Sequence, residues 1–249
     1  MLVLSNFLAG AFDSVRRGAL DIARRALPQR CELCAAASGS ALVCAACANE
    51  LPRLGPACPV CALPTRDGQL CGRCLTQPPA FAATMAAYSY AFPVDRLMQA
   101  LKYHGRLALA EWCALAILSE RERHGAPSPP HCLIALPLSS ERQRERGYNQ
   151  ALEIARVVAA RSALPLLRDG ARRTRATPPQ AALPWSERAK NVRDAFACDA
   201  RLTGLTIAVI DDVMTTGASL NEFAATLKRA GAKRVENWIV ARTLPPGQS

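Results

Sequence analysis

Aromatic residues are scarce in this chain, long apolar runs are missing, and acidic residues are outnumbered. Aromatics make up 5% of the 249 residues, and few of them sit among the basic residues. That counts against sequence-tolerant base stacking as a main activity. No stretch approaches the roughly 20 consecutive apolar residues needed to cross a bilayer. The N-terminal segment has no uninterrupted apolar core of the kind that marks a secretory signal. Half the residues are hydrophobic and a fifth charged, a globular composition rather than a disordered or fibrous one.

Lys and Arg number 31 against 20 Asp and Glu, giving a formal charge of +11. A basic surface of this size favours polyanions, phosphorylated metabolites or nucleic acid, without choosing between them. The first thirty residues carry Arg16, Arg17, Arg24, Arg25 and Arg30. Leu4, Leu8, Phe12, Val15, Ala19, Ile22 and Ala26 recur there at helical spacing, with Asp13 and Asp21 on the polar side. The pattern predicts an amphipathic helix over 1–27, docked on the body of the protein in preference to a targeting or membrane-surface segment. Pro28 ends it.

Cysteine is what the chain has in excess. Eight of its eleven cysteines fall in four Cys-x-x-Cys pairs, and the spacing Cys-x2-Cys-x9-Cys-x2-Cys occurs twice, at 31–47 and 58–74. A Cys-x-x-Cys turn puts two sulfurs at the separation of two corners of a tetrahedron, and a second pair completes it. The sequential assignment places Cys31, Cys34, Cys44 and Cys47 on one zinc ion and Cys58, Cys61, Cys71 and Cys74 on another; an interleaved scheme is equally compatible with the spacing. Four thiolates leave no open coordination position, so the ions are structural, and they supply folding energy to a segment too short to bury much core. Such sites carry a net charge of about −2 each, which brings the balance to about +7. Cys113, Cys132 and Cys198 read as small buried hydrophobes.

Beyond Pro78-Pro79 the texture changes to alternating strands and helices. Strands are expected over 81–92, 131–138, 206–213 and 234–241, and helices over 94–103, 107–123, 150–161 and from the 215–219 turn to about residue 230. A polar loop is expected from Ser139 to Asn149. This order implies a mostly parallel sheet covered on both faces. Residues 168–193 are basic and have little apolar periodicity.

The stretch Ile207-Ala-Val-Ile-Asp-Asp-Val-Met-Thr-Thr-Gly-Ala-Ser219 concentrates the chemistry. An apolar strand delivers Asp211 and Asp212 at its end, which suits hydrogen bonds to the vicinal hydroxyls of a ribose. Thr215, Thr216, Gly217, Ala218 and Ser219 then offer backbone N–H groups, hydroxyls and a helix N-terminus to one phosphate. The Gly-Lys-Ser/Thr element of a Walker loop is absent. In Leu136–Gln150, Arg142, Arg144 and Arg146 alternate, so an extended loop would aim them one way, toward pyrophosphate oxygens.

The 207–219 run resembles the phosphoribosyl pyrophosphate (PRPP) signature of type I phosphoribosyltransferases. One departure matters. The 6-oxopurine branch carries an Asp directly before Thr-Gly as general base, and here Thr215 stands in that place, which argues against purine salvage. The cysteine pairs, Leu101-Lys-Tyr-His-Gly-Arg106, the Arg-Gly-Tyr-Asn-Gln150 run, Arg173-Thr-Arg175 with Gln180, and Arg188-x-x-Asn191 with Phe196 all resemble elements of the ComF family, in family order over residues 29–243. The resemblance implies a cytoplasmic bacterial protein with a double zinc-ribbon module (28–79) and a type I phosphoribosyltransferase-like α/β domain (80–249), tied to competence or the use of external DNA; the amphipathic helix (1–27) lies outside it. It implies binding of PRPP with magnesium, with Arg142, Arg146 and Lys102 as catalytic candidates. Two readings stay open: a phosphoribosyl-transferring enzyme, and a single-stranded-DNA-binding accessory protein with a non-catalytic, regulatory PRPP pocket.

Overall fold

The computed structural model describes residues 29–125, 128–175 and 192–245. The helix expected over 1–27 and the basic stretch with Gln180, Arg188, Lys190 and Asn191 lie outside the described residues. The chain divides into two compact units between Leu51 and Pro52, inside the 28–79 segment that the sequence groups as one module.

In the first unit β1 (Gln29–Arg30) pairs antiparallel with β2 (Ala37–Gly39), and α1 (Ala45–Asn49) follows. The turn after β1 closes through Ala35 N to Cys31 O (2.9 Å) and Cys31 N to Ala36 O (2.8 Å), with Ala35 left-handed at φ 58°. The second unit opens by repeating this geometry: Ala62 N donates to Cys58 O (2.9 Å), Cys58 N to Leu63 O (2.8 Å), and Ala62 has φ 55°. Cys71 then precedes α2 (Gly72–Thr76) as Cys44 precedes α1. The spacing repeat in the sequence is a repeat of structure.

The second unit is built on a four-stranded, all-parallel sheet in the order β3 (Ala83–Ser89), β8 (Arg234–Arg242), β7 (Thr206–Met214), β4 (Cys132–Ala135). Residues 207–212 of β7 and 238–242 of β8 are buried throughout, as central strands covered on both faces must be. Alternate residues serve opposite faces. Ile207, Val209, Val235 and Ile239 pack with Leu220, Phe223, Ala224 and Leu227 of α7 (Ala218–Arg229), an i, i+3, i+4, i+7 stripe. The buried cysteines of the second quartet belong to this same apolar cluster. The opposite face is covered by α4 (Leu109–Arg123) and α6 (Gln150–Ser162), with α3 (Val94–Tyr103) against α4. Its buried side chains include Leu97, Leu101, Cys113, Ile117, Ile154 and Val158. Because the strands are parallel, their carboxyl ends share one edge, where open α/β sheets bind ligands.

Two expectations are corrected here. The segment Ser139–Asn149 is not a loop: residues Ser140–Arg146 form α5, with Ser139 Oγ accepting from Arg142 N at 3.4 Å and Gly147 left-handed (φ 80°) at the C-terminus. Glu141 in its first turn and Arg144 and Arg146 in its last complement the helix dipole. Within 168–193, β5 (Ala171–Arg173) pairs antiparallel with β6 (Phe196–Cys198), a short hairpin-like pairing too brief to show in the sequence pattern.

Candidate functional site

Each cysteine quartet gathers its four sulfurs within 4.8 Å of one another, Cys31, Cys34, Cys44 and Cys47 in one and Cys58, Cys61, Cys71 and Cys74 in the other. The ligation is therefore sequential, and the interleaved scheme falls. Cys34 and Cys44 Sγ are 3.8 Å apart, and Cys61 and Cys71 Sγ 3.6 Å. A zinc tetrahedron with bonds of about 2.3 Å has edges of about 3.8 Å, so the donor sets fit the ion without rearrangement. Burial opposes ionisation of Cys31, yet N–H groups of Cys44, Cys34 and Leu33 outweigh it and bring the thiol down to about 6. Cys47 is pushed up to about 12, chiefly by its contacts with the Cys34 and Cys44 sulfurs. The quartet thus favours one thiolate and resists the last, and a bound cation supplies the charge that lets the remaining thiols ionise. The two quartets fit two zinc ions.

At the carboxyl edge, Asp211 and Asp212 sit within the end of β7, 8% and 3% exposed. Neighbours in a strand face opposite ways, and here that divides the acids. Asp212 points into the layer of α3 and α6, where Lys102 Nζ lies 2.5 Å from its Oδ2 and Gln150 Nε2 is 3.5 Å from its Oδ1. Burial works against its charge, but Lys102 overrides this and holds the carboxyl below its usual range. Lys102 is in turn raised, burial opposing and Asp212 prevailing. Asp211 accepts from Asp212 N (2.9 Å), and burial together with the charge beside it drives its carboxyl well upward. The two acids are thus biased in opposite directions, Asp212 toward the ionised form and Asp211 toward the protonated one.

Around Asp212 a closed ring of side chains forms. Arg146 Nη1 donates to Gln150 Oε1 at 2.6 Å, and its guanidinium lies 5.2 Å from the Tyr103 ring centroid; Tyr103 adjoins Lys102 in the chain. Every residue after Arg146 in the Arg-Gly-Tyr-Asn-Gln run has a defined task. Gly147 ends α5. The Tyr148 hydroxyl donates to Leu101 O. Asn149 caps α6 through Ala151 N (3.0 Å) and ties Nδ2 to Leu136 O (3.0 Å). Gln150 reaches the acid. Arg142 and Arg146 share a helix face at i, i+4, whereas Arg144 is turned away, so the three do not aim together as an extended loop would have them. Arg142 instead neighbours Arg173, whose guanidinium is lowered by burial and by Arg142, opposed by Asp211. Lys102 thus bonds Asp212 and also acts on Asp211, Arg146 reaches the acids only through Gln150, and Arg173 is the arginine whose charge is felt with Asp211.

The turn after β7 brings the phosphate-loop residues together. Gly217 is left-handed at φ 82° directly before α7, and Thr216 Oγ1 accepts from Ala218 N at 3.2 Å. The positive φ favours glycine, and a Cβ at 217 would also displace the Met214 methyl, 2.5 Å away. Arg242, at the end of β8 and 1% exposed, donates Nε to Cys61 O (2.8 Å) and Nη1 to Met214 O (3.0 Å), Thr243 O (2.7 Å) and Thr215 O. Burial lowers this guanidinium to about 10. Sequence reasoning missed Arg242, Gln150 and Tyr103 as site residues. A lone arginine closing the apolar run Trp238–Ala241 is the one signal that marked Arg242.

Residues 22–75 match the double zinc ribbon domain family. Over 207 residues the chain is 33% identical to the DNA utilization protein YhgH of Salmonella typhi, covering 81% of this chain and 91% of that protein. Competence protein F of Haemophilus influenzae is 29% identical over 91% of this chain and 94% of its own length. Competence protein ComFC of Bacillus subtilis is 26% identical, with coverages of 81% and 84%. With two cysteine quartets ahead of a parallel α/β sheet and relatives of this similarity along most of its length, the chain belongs to the ComF family, alongside the DNA utilization protein YhgH and competence protein F.

Proposed function

We propose that the carboxyl-edge site binds the 5-phosphoribosyl group of PRPP, and that this binding serves DNA uptake or utilisation, the role for which the relatives are named. The observation that carries the reading is the acid pair at the end of β7 running straight into the left-handed Gly217 and the first turn of α7, with cations on both sides of the pair. A 5′-phosphate suits the 215–219 turn, where consecutive main-chain N–H groups and the helix N-terminus meet an anion. The ribose hydroxyls suit Asp211 and Asp212. The pyrophosphate suits Arg142, Arg146 and Arg173, whose planar forks match its oxygens.

Lys102 is placed against Asp212. Its part in this reading is to keep that acid ionised as an acceptor for a ribose hydroxyl. In a transfer reaction the bond between the anomeric carbon and the pyrophosphate oxygen breaks, a nucleophilic atom of the acceptor bonds to that carbon, and the arginines stabilise the negative charge gathering on the departing pyrophosphate. Among the described residues the only clusters of His, Cys, Asp and Glu with converging ligand atoms are the two cysteine quartets. The described residues therefore offer no cage of their own for magnesium. The ion would come with PRPP, close to Asp211 and Asp212, and neutralise charge on the pyrophosphate.

Calorimetry with PRPP and Mg²⁺ on the wild type and on Asp211→Asn/Asp212→Asn tests the pocket. Binding by the wild type and at least tenfold weaker binding by the variant are expected; a wild type that binds no PRPP overturns the reading. A second reading, a single-stranded-DNA-binding accessory protein, draws on the relatives' names and on the Arg142–Arg173 neighbourhood. It requires affinity for single strands that falls steeply with salt; no affinity near physiological salt removes it. Pyrophosphate release screened against bases, nucleosides and DNA then separates turnover from binding alone.

A further inference from the structure

Arg242 is a buried arginine whose four acceptors are all main-chain carbonyls, drawn from three parts of the second unit: the cysteine knuckle (Cys61), the end of β7 with the start of its turn (Met214, Thr215), and the chain after β8 (Thr243). The donors belong to one rigid plane, Nε on the knuckle side and Nη1 on the turn side. In a trans peptide the C=O and the following N–H point in opposite directions. Drawing the carbonyls of Met214 and Thr215 toward Arg242 therefore turns the N–H groups of Thr215 and Thr216 away from it. Those amides open the turn that the proposed phosphate site uses. Met214 O is held by Thr243 N as well (3.0 Å), so at Thr215 O the arginine is the turn's side-chain tie, and Cys61 O holds the other end of the guanidinium.

We propose that Arg242 is a positioning residue that couples zinc in the second quartet to the geometry of the 215–219 turn, so that the ion and an anion at the turn stabilise each other's binding. Cys61 is both a zinc ligand and the residue whose carbonyl takes Nε. The knuckle that presents this carbonyl is held by two backbone hydrogen bonds and a left-handed alanine, and metal ligation supplies the remaining folding energy of such a turn. Loss of zinc leaves a guanidinium at 1% exposure with one acceptor fewer, and the rigid fork passes the adjustment to Met214 O and Thr215 O. The first quartet takes no part in this set of bonds. Linkage then requires reciprocity: what zinc does for the anion, the anion does for zinc.

The proposal rests on the turn being an anion site for its second half only, and the test keeps the halves apart. Amide hydrogen exchange across residues 213–221 is measured on the full chain as wild type, Cys74→Ser, Cys34→Ser and Arg242→Lys, and on wild type stripped of zinc by a chelator. Cys74→Ser breaks the second zinc site without altering a hydrogen-bond partner of Arg242. Exchange in the turn at least tenfold faster is expected for Cys74→Ser, Arg242→Lys and stripped protein, and unchanged exchange for Cys34→Ser. Equal rates in Cys74→Ser, stripped protein and wild type overturn the coupling, as does equal acceleration by Cys34→Ser. Chelator-driven zinc loss, followed with a metal indicator, is then timed with and without PRPP and Mg²⁺. PRPP is expected to slow release of about one of the two ions at least threefold in wild type and to have no effect in Arg242→Lys. If PRPP binds but release is unaffected, reciprocity fails. If PRPP does not bind while the exchange pattern holds, the coupling stands and the PRPP reading fails.

Discussion

Replacing Lys102 by methionine removes the charge partner of an acid that is 3% exposed and 2.5 Å away, while keeping most of the side-chain volume. Breaking one side of a buried pair costs about 3–5 kcal/mol, because the remaining charge is left uncompensated. Asp212 limits the loss by taking a proton: holding a carboxyl neutral at pH 7 against an unfolded value near 4 costs about 4 kcal/mol at most. The Lys102 side chain keeps 18% of its exposure and Gln150 still faces Oδ1, which favours the lower end, about 3 kcal/mol. The pH dependence carries the sign. In the wild type Asp212 is held below its ordinary value, so its contribution is present above about pH 4 and is lost only as pH falls through the depressed value. In Lys102→Met the folded value rises above the unfolded one. Stability is then full below about pH 4 and falls as pH rises through the new value. Urea midpoints for both proteins, zinc-loaded, are to be taken at pH 5 and pH 7. The gap between them should widen with pH, and both proteins carry the same cysteine quartets, so metal effects cancel in the difference. Adding Asp212→Asn to Lys102→Met should restore more than half of the loss and flatten the profile. A gap below about 1 kcal/mol, or one independent of pH, refutes the assignment of Lys102 as the group that ionises Asp212.

Metal analysis of the purified chain should return close to two zinc ions, and Cys44→Ser close to one, since each quartet closes separately; one ion shared between the quartets would contradict the sequential ligation. Gly217→Ala should lower stability by about 1–3 kcal/mol, from a positive φ and a Cβ 2.5 Å from Met214 Cε, and weaken PRPP binding in the same calorimetric series. Asn149→Ala removes the cap of α6 and the tie to Leu136 O, and should cost about 1–2 kcal/mol by urea denaturation.

The carboxyl-edge site was legible in the sequence where it depends on local chemistry. A strand of apolar residues ending in Asp-Asp, then Thr-Thr-Gly before a helical stripe, specifies its own turn: Gly217 is left-handed and α7 begins at Ala218, one residue before the expected start. The cysteine spacing likewise carries both knuckles, down to the matching left-handed alanines at 35 and 62. Where the alternation of Arg142, Arg144 and Arg146 predicts an extended loop, local capping overrides it. Ser139 and Gly147 bracket a helix of seven residues, and their signals are visible in hindsight as an N-cap and a C-terminal glycine. The ring Tyr103–Arg146–Gln150–Asp212–Lys102 was illegible for a different reason. Its members come from three helices and a strand, and nothing in the spacing of a glutamine at 150 indicates an aspartate at 212.

That ring explains why two acids side by side in a strand behave differently. The pleat alone would give them equivalent surroundings on two faces, yet only one face supplies a lysine. Lys102 favours the charged form of Asp212 there, while burial and the charge beside it favour the neutral form of Asp211. In the proposed PRPP reading, acids biased in opposite directions at adjacent positions suit the two hydroxyls of a vicinal diol. Arg146 donates to Gln150 and lies over the Tyr103 ring. Arg173 donates to Arg175 O, lies over the Phe196 ring and feels the like charges of Arg142 and Arg175. An anion beside like-charged guanidinium groups relieves their repulsion, and in the proposed PRPP reading that anion is the pyrophosphate.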